Sequence, residues 1–187
     1  MARLNQVASF RGTTKTEDGN LRCSKCGKTI TPGMPYQWWA NKLPRARGSV
    51  RRIRCMDCTP SRADMTPGRR GELMRAQESF DNQLAEATTF DDLRSVRDDI
   101  AQQLHDLASE LTDGADNMEQ GFGHETYQSQ ELRERGETLD EVADRMEYTE
   151  PDNEPEEDDE DQDEQALENA LDAYREAISE IMYEAEV

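Results

Sequence analysis

Two short motifs, Cys23-Ser-Lys-Cys26 and Cys55-Met-Asp-Cys58, contain all four cysteines of this 187-residue chain and are separated by 28 residues. Each CxxC turn places two thiolates on one side of a tight bend, and two such turns facing each other form a four-sulfur cage. Such a cage is typical of Zn²⁺ and leaves no coordination position for a substrate. We therefore predict one structural zinc ion, held by Cys23, Cys26, Cys55 and Cys58.

The alternatives for these cysteines are two disulfides, a redox-active pair and a four-thiolate iron site. The start of the chain, Met1-Ala-Arg-Leu-Asn-Gln, is polar and contains no apolar signal segment, so we expect a reducing, cytoplasmic location. Disulfides do not persist in such a compartment. A thioredoxin-type site pairs one CxxC with a βαβ pattern, which this sequence lacks. Iron binds the same four-thiolate ligand set, so it stays open as the alternative to zinc at this site.

The residues around the cysteine motifs predict a small zinc-bound α+β domain over residues 21–64. A turn at residues 31–33 precedes an aromatic strand at residues 34–39, and residues 49–55 form a partner strand. Thr59-Pro60 predicts the start of a short helix. A cysteine turn, a hairpin and a second cysteine turn at the start of a helix describe a treble-clef finger.

Residues 21–62 resemble two families of zinc finger. The matching segment is Cys23-x-x-Cys26-Gly-Lys-Thr-Ile30-Thr-Pro-Gly33, followed by an aromatic strand and the second cysteine pair. They are similar to the finger of poly(ADP-ribose) polymerases, which binds DNA ends and nicks, and to LIM domains, which bind proteins. This chain departs from both families. The polymerase-type finger has a histidine where this chain has Cys55, and a LIM domain has a second zinc unit, which does not follow here. The resemblance therefore implies the ligand positions and leaves the partner open.

Charge divides the chain into a basic start and an acidic remainder. Residues 1–70 carry a net charge of +11 and residues 71–187 a net charge of −31, within a total of −20. This asymmetry indicates contact of the basic part with nucleic acid, although the same arginines also suit an acidic surface of this or a neighbouring molecule. The candidate nucleic-acid-binding residues are Trp39, Lys42, Arg45, Arg47, Arg51, Arg52 and Arg54.

Strand alternation bears on which aromatic side chains of the predicted hairpin are free to bind. It places Tyr36 and Trp38 on one face and Trp39 on the other. We expect one set to pack against the cysteine turns and Trp39 to be exposed. An exposed indole beside guanidinium groups suits base stacking and phosphate pairing.

Beyond residue 65 the apolar residues recur at helical spacing, which predicts an acidic all-α coiled-coil hairpin or bundle over residues 65–148. Thr89-Phe-Asp-Asp92 predicts an N-cap, and the glycines of residues 113–123 predict the reversal. A second capping box at residues 138–141 leaves the return as one helix or two. The stripe residues are Leu73, Gln77, Phe80, Leu84, Ala87, Leu93, Ile100, Leu104, Leu107, Leu111, Met118, Tyr127, Leu132, Leu139, Val142 and Met146.

The ends of the chain and the segment after this body complete the predicted organisation. Residues 1–20 are expected to be an N-terminal arm. Residues 149–163, rich in acids and proline, are expected to be a disordered linker. Residues 164–187 predict an amphipathic helix that either completes the bundle or docks on a partner.

The sequence predicts no catalytic site and no small-molecule substrate. His105 lies beside the helical stripe, and we expect it to be a surface residue rather than a ligand, whereas His124 lies in the glycine-rich reversal with no cysteine or second histidine nearby. No carboxylate pair stands out as an acid and base couple, and no GxGxxG, P-loop or GxSxG sequence occurs. No apolar run approaches the roughly 18 residues of a membrane span, so we expect no membrane contact.

Leu, Ile, Val and Phe together contribute only 27 of the 187 residues, which favours small modules supported by metal or self-association. We expect a non-enzymatic protein whose basic finger contacts nucleic acid and whose acidic helices mediate self-association or bind a protein partner. The alternative is a protein–protein adaptor or inhibitor in which zinc is purely structural, of the kind found among phage accessory proteins or mimics of DNA charge. The surplus of acids also suits adaptation to high salt.

Overall fold

The computed structural model describes residues 2–13, 18–42, 49–152 and 164–185, without the side chains of residues 41, 42, 49 and 50. Within this part the chain has an α+β fold of five strands and five helices. It divides into two compact units, unit 1 (Met1–Gly71) and unit 2 (Glu72–Val187), each with its own hydrophobic core. No helix in the described ranges combines the length and apolar character needed to cross a membrane.

Unit 1 contains a three-stranded antiparallel sheet in the order β1 (Asn5–Val7), β4 (Tyr36–Lys42), β5 (Ser49–Cys55). Its edge strand β1 lies within the segment that the sequence predicted as an arm. Phe10, which follows this strand, is 6% exposed and belongs to the core of unit 1. The first residues therefore take part in the folded unit, because they cover the free edge of β4.

A two-stranded hairpin of β2 (Leu21–Arg22) and β3 (Thr29–Ile30) carries the first cysteine motif in its turn. The second motif follows β5 and leads into a one-turn helix, α1 (Arg62–Met65). The predicted helix start at Thr59-Pro60 lies two residues too early, because Ser61 is the N-cap. Ser61 and Asp64 form a reciprocal capping box that satisfies two backbone N–H groups.

Four helices of the chain, α2 (Arg69–Glu86), α3 (Phe90–Phe122), α4 (Tyr127–Glu147) and α5 (Glu164–Glu184), line one hydrophobic core. The N-cap predicted at Thr89 is present. Most of the predicted stripe residues are buried in this core, and α5 packs against α3 and α4. The last helix therefore completes the core of unit 2. Residues 153–163 of the predicted linker lie outside the described residues.

The reversal between α3 and α4 comes later than the sequence predicted. The helix α3 continues through Gly114, because Leu111 and Ala115 on either side of it are buried in the unit. It ends at Gly123, whose φ of +73° gives a left-handed C-cap. Arg133 then pairs with acids near the end of α3, so the two helices run antiparallel.

The return is one helix, α4, and Gly136 lies inside it. A Cβ atom at this position would lie 2.8 Å from Thr112 Oγ1 and 3.1 Å from the carbonyl oxygen of Ala108. Gly136 therefore permits the close approach of α3 and α4. Thr138 does not cap a new helix, because its hydroxyl donates to the carbonyl oxygen of Glu134 at 2.9 Å.

We expect Gly136→Ala to lower the free energy of unfolding of unit 2 by about 1–3 kcal/mol, because the added methyl group overpacks the contact with α3. Gly114→Ala is the matched control, since its new Cβ would meet only Leu132 Cδ1, at 3.9 Å. This control should gain up to about 1 kcal/mol from helix propensity. Urea denaturation followed by circular dichroism measures both, and equal stability of the two variants would contradict the close approach.

Candidate metal centre

The four cysteines come together between the β2–β3 turn and the turn after β5. All four Sγ atoms lie within 4.8 Å of one another. The Sγ atoms of Cys26 and Cys55 are 3.7 Å apart, close to the separation of about 3.8 Å that four Zn–S bonds of about 2.3 Å impose in a tetrahedron. All four are free thiols rather than disulfides. The predicted grouping is confirmed, and the group is able to hold a metal ion.

The four thiols affect one another's ionisation. Burial raises the pKa of Cys23. Backbone hydrogen bonds at Cys26, Cys55 and Lys25 together have a larger effect in the opposite direction, so the pKa is lowered to about 6. Hydrogen bonds with the Cys26 and Cys55 side chains, and then burial, raise the pKa of Cys58 to about 12. Burial also raises the pKa of Cys55. One thiolate therefore forms readily, whereas four thiolates together require a cation at their centre.

Contacts outside the sulfur atoms hold the two cysteine turns in place. The Cys23 amide donates to the carbonyl oxygen of Lys28 at 2.9 Å, and the Ser24 amide donates to that of Ile53 in β5 at 2.8 Å. Lys28 Nζ lies 2.7 Å from Asp57 Oδ2, so an exposed ion pair joins the first turn to the second. These contacts place the two cysteine turns next to each other in the folded unit.

Gln37 supports the second cysteine turn, although the sequence analysis did not single it out. Its side chain is 3% exposed, and its Nε2 donates to the carbonyl oxygens of Cys55 at 3.1 Å and Cys58 at 3.0 Å. The available signal was a polar residue between aromatic neighbours in β4. Because a buried amide must find partners, such a position points to a structural hydrogen bond.

The expectation that Trp39 is exposed was wrong, since this residue is 0% exposed. Its indole Nε1 donates to the carbonyl oxygen of Asp64 in α1 at 3.0 Å. Tyr36, on the opposite face of β4, packs into the core around the cysteines. The face of β4 that carries Trp39 is therefore covered by α1, and it is not the exposed face that we predicted.

Arg54 is also a structural residue rather than a free cation. It is 7% exposed, and its Nη2 lies 2.7 Å from Asp64 Oδ1. Its guanidinium group lies 5.3 Å from the centre of the Trp39 ring. A guanidinium group that is buried and paired in this way is not available to a phosphate, so the prediction of Arg54 as a nucleic-acid ligand is corrected.

The exposed basic side chains of β5 are Arg51 and Arg52, and their contact with nucleic acid stays a prediction. The Arg51 guanidinium lies 4.1 Å from the centre of the Trp38 ring, and Trp38 is the partly exposed tryptophan of the hairpin. Adjacent strand residues point to opposite faces, so Arg52 lies on the other side of the sheet. The remaining candidates have side chains outside the described part of the chain: Lys42, Arg45 and Arg47.

Fold and site together define an α+β protein with a four-cysteine group beside a small antiparallel sheet. Comparison of the chain with protein-family models, with curated proteins and with solved structures gives no match. The treble-clef assignment, and the resemblance to polymerase-type and LIM fingers, stay predictions drawn from residues 21–62.

Proposed function

We propose that this is a non-enzymatic zinc protein whose finger, residues 21–64, contacts nucleic acid. In this proposal unit 2 mediates self-association or binds a protein partner. The observation that carries the metal assignment is the approach of four Sγ atoms to within 4.8 Å of one another. A treble-clef arrangement is supported by the order of the elements. The first cysteine turn lies in a hairpin, the second lies at the end of a strand, and a helix follows the second turn.

Support for the nucleic-acid contact comes from Trp38 and Arg51. Trp38 is partly exposed, and the Arg51 guanidinium lies 4.1 Å from its ring centre. An aromatic ring flanked by a guanidinium group suits stacking on a base and pairing with the adjacent phosphate. Arg52 adds an exposed cation on the other face of the same strand. Trp38 therefore takes the stacking role first predicted for Trp39.

Charge confines this contact to the N-terminal part of the chain. Residues 1–70 carry +11, whereas residues 71–187 carry −31. An acidic surface repels phosphates, so unit 2 is suited to contacts with proteins rather than with nucleic acid.

A protein–protein adaptor is the second candidate, and the tip of the α3–α4 hairpin favours it. Phe122 is 59% exposed and Tyr127 is 79% exposed, on either side of the reversal. Exposed aromatic residues are enriched in protein interfaces. In that case the zinc ion only shapes unit 1, and the helices make the productive contact.

We expect the double variant Arg51→Ala/Arg52→Ala to bind DNA or RNA at least about tenfold more weakly, with a salt dependence reduced by about two phosphate contacts. Without these two guanidinium groups, binding neutralises two fewer phosphates and releases two fewer counterions from the nucleic acid. Fluorescence anisotropy with single-stranded and double-stranded oligonucleotides, at several salt concentrations, measures both quantities.

Arg75→Ala/Arg135→Ala is the matched control, because it removes the same charge from unit 2. This control should leave binding unchanged. Equal weakening in both double variants would show that only net charge matters. Absence of binding at low salt would reject the nucleic-acid contact and favour the adaptor.

A further inference from the structure

His105 of α3 faces three carboxylates of α4. Its Nδ1 lies 2.7 Å from Asp140 Oδ1, and its Nε2 lies 3.7 Å from Asp144 Oδ1 and 3.8 Å from Glu147 Oε2. The imidazole side chain is 29% exposed, so it is more enclosed than the surface residue that the sequence predicted. The three acids follow one another at spacings of four and three residues, which places them on one face of α4.

Negative charge is in excess around this ring. Among the described residues, no lysine or arginine forms an ion pair with Asp140, Asp144 or Glu147, whereas Arg133 and Arg145 of the same helix pair with other acids. Carboxylates four residues apart on a helix repel each other. Three carboxylates therefore converge on a single imidazole, and an additional positive charge would stabilise them.

The hydrogen bond at Nδ1 sets the direction of the other ring nitrogen. Because the carboxylate of Asp140 accepts, Nδ1 carries the hydrogen, and in a neutral ring the lone pair of Nε2 points towards Asp144 and Glu147. A lone pair facing two carboxylates is unfavourable unless a proton or a metal ion lies between them. Metal-binding histidines use this arrangement, in which a carboxylate on one nitrogen aims the other at the ion.

We propose that His105, Asp144 and Glu147 form a second metal site, for a divalent transition-metal ion such as Zn²⁺. Their ligand atoms all lie within 4.8 Å of one another. Bonds of about 2.0–2.1 Å in a tetrahedron require ligand separations of about 3.3–3.4 Å. The Nε2–oxygen distances of 3.7 and 3.8 Å need to shorten by only a few tenths of an ångström. Both carboxylate side chains are more than half exposed, so they have the freedom to do so.

The type of ligand selects the ion, and the surroundings leave room for it. One imidazole with two carboxylates suits Zn²⁺ and its neighbours, whereas Ca²⁺ and Mg²⁺ take oxygen ligands only. His105 and Glu147 also line a cavity of about 430 Å³, which provides space for a water molecule at the fourth position. The bound ion would connect α3 to α4.

Calorimetric titration of Zn²⁺ into the full chain, already carrying one equivalent of Zn²⁺ on its cysteines, tests this site. We expect one further ion per chain, confirmed by native mass spectrometry. His105→Gln should weaken this second event at least tenfold. Asp140→Asn should weaken it by about 10–100-fold while one further ion still binds, because the orienting carboxylate is lost and the ligands remain.

Three variants make the outcome specific. Glu141→Gln removes an exposed carboxylate of α4 outside the group and should change nothing. Cys26→Ser should abolish the first ion and keep the second, so failure here is distinguishable from failure of the cysteine site. Asp144→Asn replaces His105→Gln if circular dichroism shows that the latter does not fold. A single ion per chain, or equal affinity of wild type and His105→Gln for the second ion, would reduce the cluster to an imidazolium ion pair and overturn the proposal.

Discussion

Removal of the proposed zinc ion, by a chelator or by Cys26→Ser, is expected to unfold unit 1 and to leave unit 2 folded. The buried hydrophobic cluster around the cysteines consists of Phe10, Ile30 and two of the proposed ligands, Cys23 and Cys55, and only Trp39 and Ala63 are added to it as buried hydrophobic residues in the described part of unit 1. So small a core cannot balance the conformational entropy of the unit. Structural zinc in finger peptides contributes about 10–16 kcal/mol of apparent binding free energy, which here would be folding free energy.

Tryptophan fluorescence isolates this effect, because the two tryptophans of the chain, Trp38 and Trp39, both lie in β4. Since Trp39 is 0% exposed, unfolding of unit 1 should shift the emission to the red. The helical circular dichroism, which arises mainly from unit 2, should change little. Ser24→Ala, in the same turn but without a ligand change, is the control. A metal-free protein with unchanged emission would contradict the zinc assignment, and elemental analysis separates zinc from iron.

Asp64→Ala is expected to destabilise unit 1 by about 3–5 kcal/mol, because it leaves a buried charge without its partner. Arg54 is 7% exposed and lies 2.7 Å from the Asp64 carboxylate. The same carboxylate accepts from the Ser61 amide in the capping box of α1, so the helix start loses a contact as well. Guanidinium denaturation followed by tryptophan emission measures the change.

Asp57→Ala is the matched control for burial. Asp57 also lies 2.7 Å from its basic partner, Lys28, but the side chains of this pair are 71% and 48% exposed. Water screens such a pair, so the denaturation midpoint should not change measurably. Similar losses in the two variants would show that burial does not distinguish the pairs. Replacement of both Arg54 and Asp64 by apolar residues should recover much of the loss.

The cysteine group could be predicted from the sequence because its signal is local. Each CxxC motif forms its own turn, and the preference of a metal ion for four thiolates predicted that the two turns would meet. Backbone pairing places the Sγ atoms within 4.8 Å of one another, as that reasoning required. Gln37 was missed because an amide in a strand has no distinctive spacing.

Helical periodicity predicted most of the buried residues of unit 2, but it wrongly included Tyr127, which is 79% exposed, and it did not show where α3 ends. Leu93, Ile100 and Leu104 were assigned to the core from their spacing and are 0–2% exposed. The reversal was placed too early, because Gly114 is a weak helix former in isolation. Packing against α4 outweighs that preference, and α3 continues to Gly123.

The roles of Trp39 and Arg54 depended on a contact between distant segments. Alternation along β4 correctly separated Tyr36 from Trp39, but it carries no information on what covers each face. Asp64, in α1, binds both the indole of Trp39 and the guanidinium group of Arg54. Two predicted nucleic-acid ligands are therefore internal contacts, and Trp38 is the partly exposed indole.

Spacing and side-chain chemistry alone were enough to establish a four-thiol group near the N-terminus, a basic start, an acidic helical remainder and the apolar faces of its helices. The folded chain was needed to show that α1 covers Trp39, that β1 joins the sheet and that His105 meets three carboxylates of α4. The helical spacing of apolar residues and the CxxC spacing of metal ligands are each visible within a few residues of sequence. Burial and charge convergence depend on the distance between segments far apart in the chain, which no local pattern encodes.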